Sequence, residues 1–210
     1  MKAVIFDLDG VLLDSEGQYS IFWEKMDNEH PTGIDKFASF IKGFHLGRIL
    51  TYFHSDGIRQ AIVERLKEFE TNMKFVFFPG ALEFVRRLND AGTPTAIVTS
   101  SDQKKMNALY VQHPEFQTLF KHIVTGDMVT KTKPDPECFL LGAKLIDVDI
   151  NDCIVLEDSR NGLLAGRNSG ARVIGIASTL SAEDVSPLSD LTVASVNELS
   201  VEQVINLKRK

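Results

Sequence analysis

The chain has 210 residues, of which 43% are hydrophobic and 25% charged, and its formal net charge is -6. A chain of this length buries roughly 70% of its unfolded surface, enough for a hydrophobic core without disulfides. The acidic balance argues against a nucleic-acid partner, because such interfaces are usually basic. No apolar run approaches the roughly 20 residues that cross a bilayer, and no secretory leader is visible. We therefore expect a cytoplasmic protein that binds no membrane, and length and charge suit a monomer.

The first predicted element is a short strand at residues 3–6, where every side chain is apolar. Such a run is typical of a strand buried on both faces of a parallel sheet. Residues 15–78 break this pattern, with helical stretches predicted at 18–27, 34–44 and 58–69. The strand-like run at 74–78 is predicted to close this helical segment.

From residue 79 onward, predicted strands and helices alternate. Strand-like runs occur at 96–98, 122–124, 153–156 and 172–176, and helical patterns at 81–88, 136–146 and 159–169. The alternation predicts an α/β fold, a parallel sheet with helices on both faces. Cys138 and Cys153 lie in apolar stretches without CxxC spacing, so we expect buried free thiols.

Two aspartates, Asp7 and Asp9, follow the first strand directly, and Gly10 then lets the chain turn. Sites in open α/β sheets lie beyond the carboxyl ends of the strands. Two carboxylates this close repel each other unless a cation lies between them or one is protonated. Taken alone, the pattern is equally typical of an Asx-turn that ends a strand.

Hydroxyl side chains and a lysine follow later elements. Thr99 and Ser100 end the strand at 96–98, where they either bind a phosphate oxygen or cap the next helix. Lys133 precedes Pro134 and a predicted helix, and there it would supply positive charge to a phosphoryl group. As a lone residue, it would be read as an exposed surface lysine.

A pair of acids, Glu157 and Asp158, ends the strand at 153–156. Mg²⁺ is usually bound through one or two carboxylates together with water and substrate phosphate. The alternative for Asp158 is a helix N-cap.

Together these motifs resemble the haloacid-dehalogenase superfamily of phosphohydrolases and phosphotransferases, in the same order along the chain. Three further features are similar to the branch of this superfamily with a helical cap inserted after the first strand. They are residues 14–16, the Pro79-Gly80 pair and the EDSxNG pattern at 157–162. That branch includes β-phosphoglucomutase and many sugar-phosphate and phosphoglycolate phosphatases. The resemblance implies a Rossmann-like catalytic core at 1–14 and 79–210 and a small all-helical cap domain at 15–78.

The resemblance also implies the chemistry at the first motif. Asp7 is expected to be the nucleophile that becomes an aspartyl-phosphate. Asp9 is expected to protonate the leaving oxygen and then to activate the acceptor, and its main-chain carbonyl to bind Mg²⁺.

The other motifs are expected to hold the phosphoryl group and the metal. Thr99, Ser100 and Lys133 are expected to bind phosphoryl oxygens. Asp158 is expected to bind Mg²⁺ together with Asp7 and Asp9, and Glu157 beside it to bind the metal through water.

In the cap, the substrate-contact candidates are Lys42, His45 and Arg48. In β-phosphoglucomutase this stretch resembles Lys-Gly-x-Ser-Arg, but Leu46 occupies the arginine position here. This departure, and Asp14-Ser15-Glu16 in place of DTA, favour a phosphatase that hydrolyses a small phosphorylated metabolite such as a sugar phosphate. The alternative is a phosphomutase of the β-phosphoglucomutase type.

Other classes fit less well. A receiver domain also groups acids, a threonine and a lysine, but it is shorter and has no helical insert. A non-catalytic phosphate-binding module would usually have lost Asp7 or Asp9. The GxxxxGK[ST] pattern of a P-loop enzyme is absent.

Overall fold

A computed structural model of the chain describes residues 2–42, 44 and 46–210. In this part of the chain, six strands form one parallel sheet in the order β3-β2-β1-β4-β5-β6. The strands are Ala3–Phe6 (β1), Thr95–Val98 (β2), His122–Val124 (β3), Cys153–Glu157 (β4), Arg172–Ile176 (β5) and Leu191–Val193 (β6). The predicted α/β class with helices on both faces is confirmed.

The helices are Glu16–Glu29 (α1), Phe37–Phe40 (α2), Leu46–Leu50 (α3), Asp56–Asn72 (α4), Ala81–Asp90 (α5), Gln103–Gln112 (α6), Phe116–Leu119 (α7), Glu137–Leu145 (α8), Arg160–Ser169 (α9), Ala182–Val185 (α10) and Val201–Ile205 (α11). Short 3-10 helices lie at Gly126–Met128, Ile150–Asp152, Ser186–Leu188 and Val196–Glu198. Among the described residues, no helix combines the length and apolar character required to cross a bilayer.

Successive side chains of β1 enter different hydrophobic clusters on the two faces of the sheet. Val4 and Phe6 belong to one cluster, and Ala3 and Ile5 to the other. This alternation follows from the two-residue period of a strand, and it explains why the whole run is apolar. Cys138 and Cys153 are buried free thiols in the second cluster, as predicted.

Signals in the sequence determine where helix α9 begins and ends. Ser159 is its N-cap and accepts a hydrogen bond from the Gly162 amide. Gly170 ends the helix in the left-handed region, with φ of 95°, which favours glycine. The predicted bounds of 159–169 therefore differ from the observed helix by one residue.

Helices α1 to α4 form a third hydrophobic cluster of their own, around Phe22, Met26, Phe37, Phe53 and Ile62. We call residues 15–78 the cap segment and the remainder the core. The exact domain boundaries at 14/15 and 78/79 stay a prediction.

Two predictions in the cap segment were wrong. The run at 74–78 is not a strand of the sheet, because Val76 and Phe78 pair with the outgoing connection at 12–14. The helix predicted at 34–44 is only the four-residue α2, because Lys36 adopts a left-handed backbone with φ of 51° that a helix interior excludes. Helix α3 was not predicted.

Candidate active site

The sheet order brings the predicted motifs to one edge. Strand β1 lies between β2 and β4, at the point where the chain stops extending the sheet on one side and starts on the other. Asp7, Thr99 and Asp158 follow these three strands at their carboxyl ends. Such a switch point is where α/β sheets bind ligands.

Lys133 occupies the centre of this edge. Its Nζ donates to Asp7 Oδ1 at 2.6 Å and to Glu157 Oε1 at 2.7 Å, and the side chain is 8% exposed. Burial alone would lower the pKa of Lys133, but the charges of Asp7 and Glu157 raise it above the ordinary value. The Lys133 ammonium therefore stays charged. Lys133 lies in the loop before α8, and from there it joins the end of β1 to the end of β4.

The Glu157 carboxylate is held in place by hydrogen bonds to its other oxygen, Oε2. Oε2 accepts hydrogen bonds from the backbone amides of Asp158 at 2.9 Å and Ser159 at 2.8 Å, and from the Ser159 hydroxyl at 3.0 Å. A Cβ added at Gly162 would lie 1.7 Å from Glu157 Oε1, so only glycine leaves room for this carboxylate. Glu157 thus orients Lys133 and is itself held by the start of α9.

Asp7, Glu157 and Asp158 each offer a buried carboxylate oxygen within 4.8 Å of the others. Lys133 offsets only part of this negative charge. Burial, with Glu157 adding to it, raises the pKa of Asp7 to about 7 although Lys133 opposes the rise. Burial and Glu157 also hold the pKa of Asp158 well above its usual range. A buried set of hard oxygen donors with uncompensated charge fits Mg²⁺, and Asp7 and Asp158 could hold it.

Gly10 lets the chain pass close to Asp158. Its φ is 76°, and a Cβ there would lie 1.9 Å from Asp158 Oδ2. The same oxygen accepts a hydrogen bond from the Thr179 hydroxyl. Thr179 was not predicted, although a hydroxyl pair after the strand at 172–176 repeats the signal seen at Thr99.

The Asp9 carboxylate does not belong to this acidic cluster. Ser15 donates to its Oδ1 at 2.7 Å, and Ser101 at 3.1 Å and Lys105 at 2.6 Å donate to its Oδ2. Burial alone would raise the pKa of Asp9, but the charge and hydrogen bond of Lys105 lower it below the ordinary value. Asp9 is therefore ionised beside the cluster.

Lys105 was missed by sequence reasoning. Its side chain is 1% exposed, and its Nζ also donates to the Tyr19 hydroxyl at 2.8 Å. Tyr19 donates in turn to Glu70 Oε1 at 2.8 Å, so the contact joins core helix α6 to helices α1 and α4 of the cap segment. The available signal was its place on the inward face of α6, four residues before the buried Leu109.

The predicted phosphate-binding hydroxyls border a cavity of about 460 Å³ between core and cap segment. Thr99 is buried, and its Oγ1 accepts from the Ser101 amide at 3.0 Å. Ser100 and Lys133 also line the cavity. The structure thus brings all three predicted phosphate ligands to the same cavity.

The two cap candidates that the structure describes differ in their position relative to the cavity. Lys42 lines the cavity and pairs with Glu16 at 3.3 Å. The exposed Arg48 places its guanidinium 3.6 Å from the centre of the Phe44 ring and is not among the residues that line the cavity. His45 lies outside the described residues.

Comparison with known proteins identifies the family. The family model described as "haloacid dehalogenase-like hydrolase" matches residues 1–170. The chain therefore belongs to the haloacid dehalogenase-like hydrolases, as the motifs predicted.

Individual relatives span nearly the whole chain. Hexitol phosphatase A of Escherichia coli is 29% identical over 214 residues, which cover 98% of this chain and 96% of that protein. The crystal structure of a family IA, variant 3 hydrolase from Entamoeba histolytica has a TM-score of 0.85 and 26% identity, covering 99% of both chains. The β-phosphoglucomutase of Clostridium difficile has a TM-score of 0.77 at 22% identity over 97% of this chain and 95% of that one, which shows a shared fold alone.

We predict that Gly162→Ala destabilises the protein by about 1–3 kcal/mol, because the new methyl group overlaps the Glu157 carboxylate that the backbone holds in place. The matched control is Gly57→Ala in α4, where a Cβ meets nothing within 4 Å, and it should stabilise by up to about 1 kcal/mol. Urea unfolding measures both. A Gly162→Ala protein as stable as the wild type would contradict the described packing.

We predict that Lys105→Met lowers the free energy of unfolding by about 2–4 kcal/mol, since it leaves Asp9 without its cation in a largely buried site. Asp9 keeps 27% side-chain exposure, so the loss is smaller than for a fully buried pair. The control is the exposed neighbour Lys104→Met, which should change stability by no more than about 0.5 kcal/mol. Equal effects of the two variants would show that Lys105 carries no structural charge pair.

Proposed function

We propose that the protein is a phosphatase, a phosphoric monoester hydrolase that acts on a small phosphorylated metabolite through an aspartyl-phosphate on Asp7. The observation that carries the proposal is the Lys133 ammonium, 2.6 Å from Asp7 and 2.7 Å from Glu157, in a cavity that Asp158 also lines. Relatives that span the same length and are named phosphatases support this class of reaction.

In the first step, a carboxylate oxygen of Asp7 attacks phosphorus and the bond to the leaving oxygen breaks. Thr99, Ser100 and Lys133 line the cavity where they bind the oxygens of the transferred group. The covalent step divides one displacement on a dianion into two easier ones. The leaving oxygen takes its proton from Asp9. Because Lys105 favours the ionised carboxylate in the free protein, this proton comes from solvent in the first turnover and from the attacking water of the second step in each later one.

In the second step, water attacks phosphorus, the bond to Asp7 breaks and phosphate leaves. Asp9 accepts the proton of that water. The ionised state that Lys105 favours is the one this step requires. Its three hydrogen-bond donors fix the carboxylate close to Asp7 without sharing the Lys133 contact.

Mg²⁺ is the cofactor we propose, held by Asp7 and Asp158 with the main-chain carbonyl of Asp9. When bound, it offsets the charge of the phosphoryl group and of the acids around it. Glu157 contributes indirectly, because its oxygens already accept from Lys133 and from two backbone amides.

We predict that Asp7→Asn lowers the release of phosphate from p-nitrophenyl phosphate by on the order of 10⁴-fold or more, because the amide is a poor nucleophile. The control is Asp56→Asn, an aspartate whose side chain is 98% exposed in α4. Phosphate release is measured with Mg²⁺ present. Full activity of the Asp7→Asn protein would exclude the covalent mechanism.

We predict that EDTA abolishes turnover, that Mg²⁺ alone restores it, and that Mg²⁺ raises the melting temperature of the wild type through binding to the folded state. Asp158→Asn should lose the thermal shift, because it removes one of the two carboxylates that we assign to the metal. Asp56→Asn again serves as the control. An unchanged shift in Asp158→Asn would place the cation elsewhere.

A further inference from the structure

The side of the cavity formed by the cap segment carries a group of apolar side chains beside its polar ones. Its apolar lining includes Trp23, Ile41, Phe44, Leu46, Ile49 and Leu66. Four of these are buried, and all six belong to the hydrophobic cluster of the cap segment or pack against it. The cavity is therefore bordered by acidic residues on its core side and by these apolar residues on its cap side.

The polar cap residues around the cavity mostly have partners within the protein. Glu16 pairs with Lys42 at 3.3 Å, and Glu70 accepts from the Tyr19 hydroxyl at 2.8 Å. Within the described part of the cap segment, Ser20 and the exposed Lys67 are the other polar residues beyond Ser15 that line the cavity. Among the described residues, five of the seven polar residues on this side therefore already have a partner inside the protein, which reduces the hydrogen-bonding capacity left for a bound molecule.

The two sides of the cavity select different parts of one molecule. The phosphoryl group belongs at the core side, beside Lys133 and Thr99. The organic group then lies against the apolar side, where each hydroxyl that leaves water without a new partner weakens binding. An apolar or aromatic surface is favoured there by the hydrophobic effect. A volume of about 460 Å³ is in the usual range for a small-molecule site.

We propose that the preferred substrate is a phosphomonoester whose organic group presents an apolar or aromatic face, rather than a phosphorylated open-chain polyol. The proposal rests on the proposed phosphatase function and specifies its substrate class. Leu46 supports it, because the position where the resemblance expected an arginine contributes an apolar side chain to the cavity.

Two primary alkyl phosphates test this preference with similar leaving oxygens: 2-phenylethyl phosphate and sorbitol 6-phosphate. We expect kcat/KM to be at least about tenfold higher for 2-phenylethyl phosphate, a ratio typical of discrimination by an apolar pocket. Equal values, or a preference for the polyol, would overturn the inference. Hydrolysis of p-nitrophenyl phosphate in the same preparation would then leave the proposed phosphatase intact, whereas no hydrolysis of any ester would overturn both.

A substitution in the cap segment tests whether this side of the cavity determines the preference between the two alkyl phosphates. Leu46→Gln should lower kcat/KM for 2-phenylethyl phosphate by about tenfold and leave inhibition by inorganic phosphate unchanged, because the core side is untouched. The control is Ile21→Gln, an apolar residue of α1 that is 69% exposed and does not line the cavity. An unchanged ratio between the two alkyl phosphates in Leu46→Gln would contradict the assignment. Should that variant fail to fold, the wild-type ratio decides alone.

Discussion

The Lys133 ammonium between Asp7 and Glu157 is the contact on which the site depends. Both carboxylates are buried, and without a cation they would repel each other at the ends of neighbouring strands. Glu157 fixes the lysine from the opposite side, and backbone amides at the start of α9 fix Glu157. The proposed nucleophile is therefore positioned by rigid elements of the sheet, an arrangement suited to catalysis by positioning and electrostatics.

A second buried lysine gives the site its link to the cap segment. Lys105 approaches Asp9 as closely as Lys133 approaches Asp7, but its other contact is the Tyr19 hydroxyl of α1. One lysine thus organises the proposed nucleophile inside the core, and the other connects the proposed acid and base to helix α1 of the cap segment. A short lysine–aspartate ion pair is therefore used twice, once inside the core and once at the contact with the cap segment.

Much of the core could be predicted, because strand ends of a parallel sheet meet at one edge. Asp7, Thr99 and Asp158 each follow an apolar run, so their proximity follows from strand order alone. Lys105 could not be separated from Lys104 by residue type, since its burial depends on how α6 packs against the cap segment. The run at 74–78 looked like a sheet strand because its partner, the connection at 12–14, carries no distinct strand signal.

Direct trapping of the intermediate tests whether the phosphoryl group passes through Asp7. The enzyme would be quenched with borohydride during turnover of p-nitrophenyl phosphate with Mg²⁺, which reduces an aspartyl-phosphate to homoserine, and the peptides analysed by mass spectrometry. We expect conversion at position 7 and at no other aspartate. Conversion at Asp9 or Asp158, or steady turnover without any converted aspartate, would contradict a covalent step at Asp7.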